Sequence, residues 1–215
     1  MLKELNLDEN TLVVFSSDNG PEVTRGPEHK FHNDSKVGLG GYYSVGETGV
    51  LKEQKRSLFA GGVRVPFVVR WPGVVPQGKV DSTFVLTAVD LLPTFLEVAG
   101  VALPDGFEPD GQSAFSAFKG EPLNRTKPIL WEWLGGDKQN YTWPSIGIRD
   151  GRWKLLVNKK QQMTELYDLQ SDWAETKELS ADYPKIVSKL SAKLDAWKKT
   201  LPLAPREHSL SMSRD

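Results

Sequence analysis

Apolar positions along the chain follow two spacings, and the change between them outlines the fold. Leu12 to Phe15 is an unbroken Leu-Val-Val-Phe run, which predicts a strand buried on both faces, as in a parallel sheet. Phe67 to Trp71 predicts a second strand, closed by Pro72-Gly73. From Thr83 to Ala99 the spacing becomes helical, with Leu91, Leu92, Phe95, Leu96 and Val98 as its buried side. Thr87 or Asp90 caps this helix, Pro93 lies near its first turn and Gly100 just past its end. Beyond residue 120 the segments shorten to Ile129–Trp133, Ser145–Arg149, Trp153–Val157 and Glu165–Tyr167, with Asp150-Gly151 as a hairpin signal. They predict a small antiparallel sheet. Pro184 to Lys199 places Ile186, Val187, Leu190, Leu194 and Trp197 on one helical face, with Lys185, Lys189 and Lys193 on the other and Asp182 as cap. Residues 1–10 read as the end of a helix and a polar turn, and the tail from Pro202 onward as disordered.

This pattern predicts an α/β chain in two parts: residues 1–120, a piece of an α/β core, and residues 121–215, a small subdomain of antiparallel sheet plus one helix. A strand buried on both faces needs neighbours on either side, so its place near the start of the chain suggests a missing front half. Residues 22–54 show no periodicity and are rich in glycine. A structureless stretch of that length is functional or disordered, and this one carries Arg25, His29 and His32.

Composition changes the picture only by exclusion. With 27 basic and 28 acidic residues the net charge is -1, so there is no electrostatic case for nucleic acid or an anionic membrane as partner. No apolar run reaches membrane-spanning length. The chain has no cysteine, which excludes disulfides and thiolate metal sites.

The candidate chemistry lies where the first strand stops. In open α/β sheets ligands gather beyond the carboxyl ends of strands, and Asp18 and Asn19 stand there. A carboxylate and an amide offer two hard oxygen ligands for Ca²⁺ or Mg²⁺, and Gly20 lets the backbone turn away. Taken alone, Asp-Asn-Gly-Pro reads first as plain turn chemistry after a strand. Lys55 precedes Gly61-Gly62 and is suited to an oxyanion, or is simply a solvated lysine. His29 and His32 lack a carboxylate or thiolate partner at metal spacing.

Asp18-Asn19-Gly20, the glycine-rich stretch, Lys55, Gly61-Gly62-Val-Arg64-Val-Pro66 and Trp71-Pro72-Gly73 resemble, in order and separation, the second half of a type I sulfatase of the arylsulfatase and N-acetylgalactosamine-6-sulfatase kind. The likeness continues through Val89-Asp90-Leu-Leu-Pro93-Thr94, Gly111, Ile148-Arg149-Asp150-Gly151-Arg-Trp-Lys154-Leu and Glu165-Leu-Tyr167-Asp168-Leu, and so covers nearly the whole chain. It implies part of an alkaline-phosphatase-like α/β/α core and hydrolysis of sulfate esters, with a sulfated sugar favoured over an aryl sulfate. It also implies Asp18 and Asn19 as ligands of Ca²⁺ (Mg²⁺ being possible), Lys55 on a sulfate oxygen, and a periplasmic or extracellular setting. Arg25, His29 and His32 are weaker candidates for substrate contact, and Arg64 is expected to be structural.

Two departures stand out. Ala60 occupies the place where the family usually has Glu. More important, the formylglycine nucleophile of the family arises in a Cys/Ser-x-Pro-x-Arg signature, and the 215 residues contain none. The chain is therefore expected to need a missing N-terminal half or a complementing chain, and to be inactive alone. The alternatives are a noncatalytic carbohydrate- or partner-binding remnant and a phosphoesterase of the same superfamily.

Overall fold

A computed structural model describes residues 1–22, 46–133, 144–158 and 162–202. The long glycine-rich stretch with Arg25, His29 and His32, and the tail beyond residue 202, fall outside the described residues. The chain opens on turns and a 3-10 turn at Asp8–Asn10. Strand β1 (Val13–Ser16) follows, then the short helix α1 (Ala60–Val63) and strand β2 (Phe67–Arg70).

Contrary to the expectation of a parallel strand buried on both faces, β1 pairs antiparallel with β2, Val13 opposite Arg70 and Ser16 opposite Phe67. Among the described residues this ribbon has two strands only. Its Phe15–Val68 pair therefore faces solvent, 66% and 56% exposed. The neighbouring positions do find cover. Phe67 lies 5.9 Å from the Phe118 ring, and Trp71 stacks on Phe115 at 6.3 Å, both in helix α3 (Phe115–Phe118).

Helix α2 (Leu91–Val98) is shorter than the 83–99 span expected. It starts late because Asp90, fully buried, fixes the turn before it. Its carboxylate accepts the Thr87 N–H at 2.8 Å and the Gln112 N–H at 2.9 Å, and pairs with Arg125 at 2.6 Å. The buried side also differs from the expected one. Pro93 and Thr94 are inside, whereas Leu92 and Phe95 stand out in solvent, because Thr94 Oγ1 donates to the Asp90 carbonyl and accepts the Ala114 N–H at 2.8 Å.

The second half of the chain forms an antiparallel meander of β3 (Ile129–Glu132), β4 (Ile146–Asp150), β5 (Trp153–Asn158) and β6 (Met163–Asp168), in that spatial order. Asp150 pairs with Trp153, so the hairpin turns over Gly151-Arg152, with Gly151 at φ +61°. Alternation then sorts side chains onto two faces. Ile146, Ile148, Leu155 and Leu166 pack under Leu190 and Leu194 of α4 (Pro184–Lys198). On the other face Leu156 and Tyr167, with Trp131 beside them, pack on Leu58 and Phe59, just ahead of α1. Helix α4 starts with Tyr183 at its N-cap and Pro184 in its first turn, not with Asp182 as cap. Lys193, from the expected solvated row, reaches Asp150 at 2.5 Å.

Candidate active site

Close backbone approach brings the end of β1 to the lysine-bearing segment. The Gly20 N–H donates to the Gly62 carbonyl at 2.8 Å, and the Lys55 N–H to the Pro21 carbonyl at 3.0 Å. A β-carbon on Gly20 would lie 1.7 Å from the Gly61 carbonyl oxygen, and one on Gly61 would lie 1.8 Å from the Glu53 carbonyl oxygen. Only glycine permits either contact. The result is that Asp18, Asn19 and Lys55 line one cavity, with a volume of about 2470 Å³ bounded by the described residues.

The exposed Asp18 carboxylate carries no hydrogen bond among the described residues, and Asn19 donates its amide to the Gly20 carbonyl at 2.9 Å, leaving its own oxygen free there. Those two oxygens suit a hard divalent cation. They are only part of a ligand set, because Ca²⁺ takes six to eight oxygens. Among the described residues no three His, Cys, Asp or Glu side chains gather to complete one.

Lys55 is about a third exposed and lies 3.7 Å from the Glu22 carboxylate, which also holds Arg56. The backbone on both sides of it is strained, with Glu53 at φ +61° and Arg56 at φ +71°, the left-handed region that such residues rarely adopt. Strain of this kind persists where surrounding contacts hold it, and here it fixes where the lysine leaves the chain.

A second group of residues, not singled out by spacing, supports this wall from below. Glu175 is buried, itself left-handed at φ +60°, and its carboxylate accepts the Ala60 N–H at 2.7 Å and the Lys154 ammonium at 2.5 Å. A carboxylate thus meets the backbone of position 60, where the residue is alanine. Lys154 is buried too, and desolvation pulls its pKa below the ordinary lysine range while Glu175 works to raise it. Nearby, Lys52 donates to the Tyr167 hydroxyl at 2.7 Å and lies 4.0 Å above the Phe59 ring. Burial, and then the Glu165 carboxylate that accepts its proton at 2.7 Å, push the Tyr167 hydroxyl well above its usual pKa, so it stays a neutral donor. Glu175 and Ala60 are 115 positions apart, which is why no local motif announces the contact. Arg64, expected to be structural, is exposed and lies 4.8 Å above the Trp173 ring.

The mixed α/β architecture is that of the alkaline-phosphatase-like fold, which solved neighbours of this chain share. Residues 46–200 match the sequence model described as N-sulphoglucosamine sulphohydrolase, C-terminal. The chain therefore belongs to the sulfatase family. It is 30% identical over 202 residues to a Formosa agariphila sulfatase, covering 88% of this chain and 33% of that protein. It is 26% identical to an N-acetylgalactosamine-6-O-sulfatase of Bacteroides thetaiotaomicron, over 92% of this chain and 38% of the relative. The crystal structure of Ps i-CgsB in complex with k-i-k-neocarrahexaose superposes with a TM-score of 0.66 at 28% identity, covering 91% of this chain and 38% of that one. The chain spans about a third to two-fifths of the length of these relatives. No helix among the described residues is long and apolar enough to cross a membrane.

Proposed function

We propose that this chain forms the C-terminal part of a hydrolase that cleaves sulfate esters on carbohydrates. The observation that carries the reading is the meeting of Asp18, Asn19 and Lys55 on one cavity wall, held by backbone bonds between Gly20 and Gly62 and between Pro21 and Lys55. In this reading the Lys55 ammonium steadies a sulfate oxygen, and Glu22, its present partner, keeps it aimed into the cavity. Asp18 and Asn19 supply two of the oxygens that hold a divalent cation, Ca²⁺ or else Mg²⁺. When bound, that ion draws charge from the nonbridging sulfate oxygens. The donor set supports this because both oxygens are free of protein hydrogen bonds among the described residues.

The substrate class rests on the relatives. One is an N-acetylgalactosamine-6-O-sulfatase by name, and another solved neighbour is in complex with k-i-k-neocarrahexaose, so a sulfated sugar is favoured over an aryl sulfate. The formylglycine nucleophile has to come from polypeptide outside these 215 residues, as a front segment or a complementing chain. A periplasmic or extracellular setting follows from the family likeness.

The test is sulfate release from galactosamine 6-sulfate and from a generic aryl sulfate, with and without Ca²⁺. It uses this chain alone and together with a sulfatase front segment carrying Cys/Ser-x-Pro-x-Arg. The expected result is no release alone and Ca²⁺-dependent release when complemented, faster on the sugar. With Lys55→Ala the complemented rate is expected to drop by about 10²-fold or more, the scale of losing one charged contact to the developing oxyanion. Release by the chain alone would sink the missing-nucleophile reading. Calcium binding in a complemented protein that is silent towards sulfate esters would favour a noncatalytic binding module.

A further inference from the structure

We propose that Arg149 and Arg64 form a second anion-binding subsite in the cavity that Lys55 lines, one that takes a further sulfate or carboxylate group of a polyanionic sugar chain. The proposal rests on the sulfated-carbohydrate reading above and extends it from one sulfate to an oligosaccharide carrying several charges.

The register puts Arg149 beside a second cation, and Arg64 lines the same cavity. Arg149 on β4 lies directly opposite Lys154 on β5, on the sheet face that looks towards α1 rather than towards α4. Like charges directly opposite each other in an antiparallel pair are destabilising unless something offsets them. Glu175 is the carboxylate in contact there, and it is already taken by Lys154 and the Ala60 N–H. Arg149 makes a single hydrogen bond among the described residues, from Nε to the Gly151 carbonyl at 3.1 Å, so its two terminal nitrogens have no partner there. Among the described residues Arg64 likewise meets no carboxylate and lies over the face of Trp173. Arg149, Arg64, Lys154, Glu175 and Trp173 all line the cavity.

Desolvation first, and then the charges of Arg64 and Arg125, lower the pKa of Arg149, against the opposing pull of Glu175. Arg125, which does not line the cavity, is paired with Asp90 through one nitrogen and leaves Nε and its other terminal nitrogen buried without a hydrogen bond among the described residues. An excess of guanidinium over unengaged carboxylate among the described residues attracts an anion. The planar fork of Arg matches the paired oxygens of sulfate or carboxylate.

The experiment is calorimetric binding of the 215-residue chain to two probes: a chondroitin 6-sulfate tetrasaccharide, with several charges, and galactosamine 6-sulfate, with one. Arg149→Met is expected to weaken tetrasaccharide binding by about tenfold or more, the scale of a lost charge-assisted hydrogen bond, and to make it less sensitive to salt. Arg149→Lys is expected to recover part of that affinity, and Arg64→Met, an exposed change with little bearing on folding, to weaken it several-fold. Neither methionine variant is expected to alter monosaccharide binding, whereas Lys55→Met is expected to abolish it. Unchanged tetrasaccharide affinity in both Arg→Met variants would overturn the subsite while leaving the Lys55 reading intact. Failure of the wild-type chain to bind the tetrasaccharide more tightly than the monosaccharide would overturn it as well. Loss of the monosaccharide response with Lys55 unaltered would instead count against the sulfate reading.

Discussion

The β3–β6 sheet with α4 and the β1–β2 ribbon with α2 are both built from apolar runs, yet one closes its core and the other leaves it open. Ile148, Leu155, Leu156 and Leu166 are completely buried, while Phe15, Val68 and Leu92 are half or more exposed. The two regions differ in where their neighbours come from. In the meander each strand pairs with the next one in sequence, and α4, a few turns further on, covers one face. The ribbon joins β1 to β2 across more than fifty residues, and among the described residues nothing covers Phe15. Exposed apolar clusters of this kind mark interaction surfaces. An apolar run therefore reports a need for burial, and whether the need is met depends on what else is folded around it.

The contrast can be broken at several points. The largest effect is expected at the seam between the regions. Lys154→Met leaves the Glu175 carboxylate buried without its cation and is expected to cost about 3–5 kcal/mol in urea unfolding. The double variant Lys154→Met/Glu175→Gln recovers part of that cost, and no recovery would mean the pair is not the cause. Next, Leu166→Ala is expected to cost about 2–5 kcal/mol as a cavity in a closed core. Phe15→Ala in the open region is expected to change stability by less than about 0.5 kcal/mol and to reduce self-association by light scattering. Equal losses for Leu166 and Phe15 would erase the distinction drawn between the regions.

A smaller effect depends on pH. Arg152 above all, helped by the Ser171 hydroxyl and the Gln170 N–H, holds the Asp168 carboxyl down to about 2. A carboxylate depressed in the folded state contributes stability that is fully present above its ordinary pKa of about 3.9 and is lost as pH falls towards the folded value. The urea midpoint is therefore expected to be insensitive to this group at neutral pH and to fall below about pH 4. Asp168→Asn removes that part of the acid slope; an identical slope in the variant would assign it elsewhere. The smallest effect on stability is expected at the site itself. Asp18→Ala touches no hydrogen bond among the described residues, so thermal unfolding without metal should match the wild type, while the stabilisation by Ca²⁺ expected from the proposed cation site should disappear.

Much of the meander was legible because its signals are local. Alternation along β4 and β5, the hairpin signal at Gly151, which turns with Arg152, and the helical spacing of Leu190 and Leu194 all act within a few residues. The reading failed where a distant partner decided the outcome. Leu92 and Phe95 looked like the buried side of a helix, but the hydrogen bonds of Asp90 and Thr94 to Gln112, Ala114 and Arg125 turned Pro93 and Thr94 inward instead. The same limit holds at the candidate site. Asp18, Asn19 and Lys55 were each visible as residue types that could ligate a cation or an oxyanion, yet taken alone each read first as a turn or a solvated lysine.

What the sequence determined by itself is the set of short-range preferences: where strands and helices run, which turns need glycine, and which residues could carry chemistry. Only the tertiary structure decided that Gly20 lies against Gly61 with no room for a side chain, bringing Asp18 and Asn19 to the wall that bears Lys55. It alone placed Glu175 against the backbone of Ala60 and Arg149 opposite Lys154. Backbone approach, burial and charge pairing join residues far apart in the chain, and their energies arise only once the intervening polypeptide has folded.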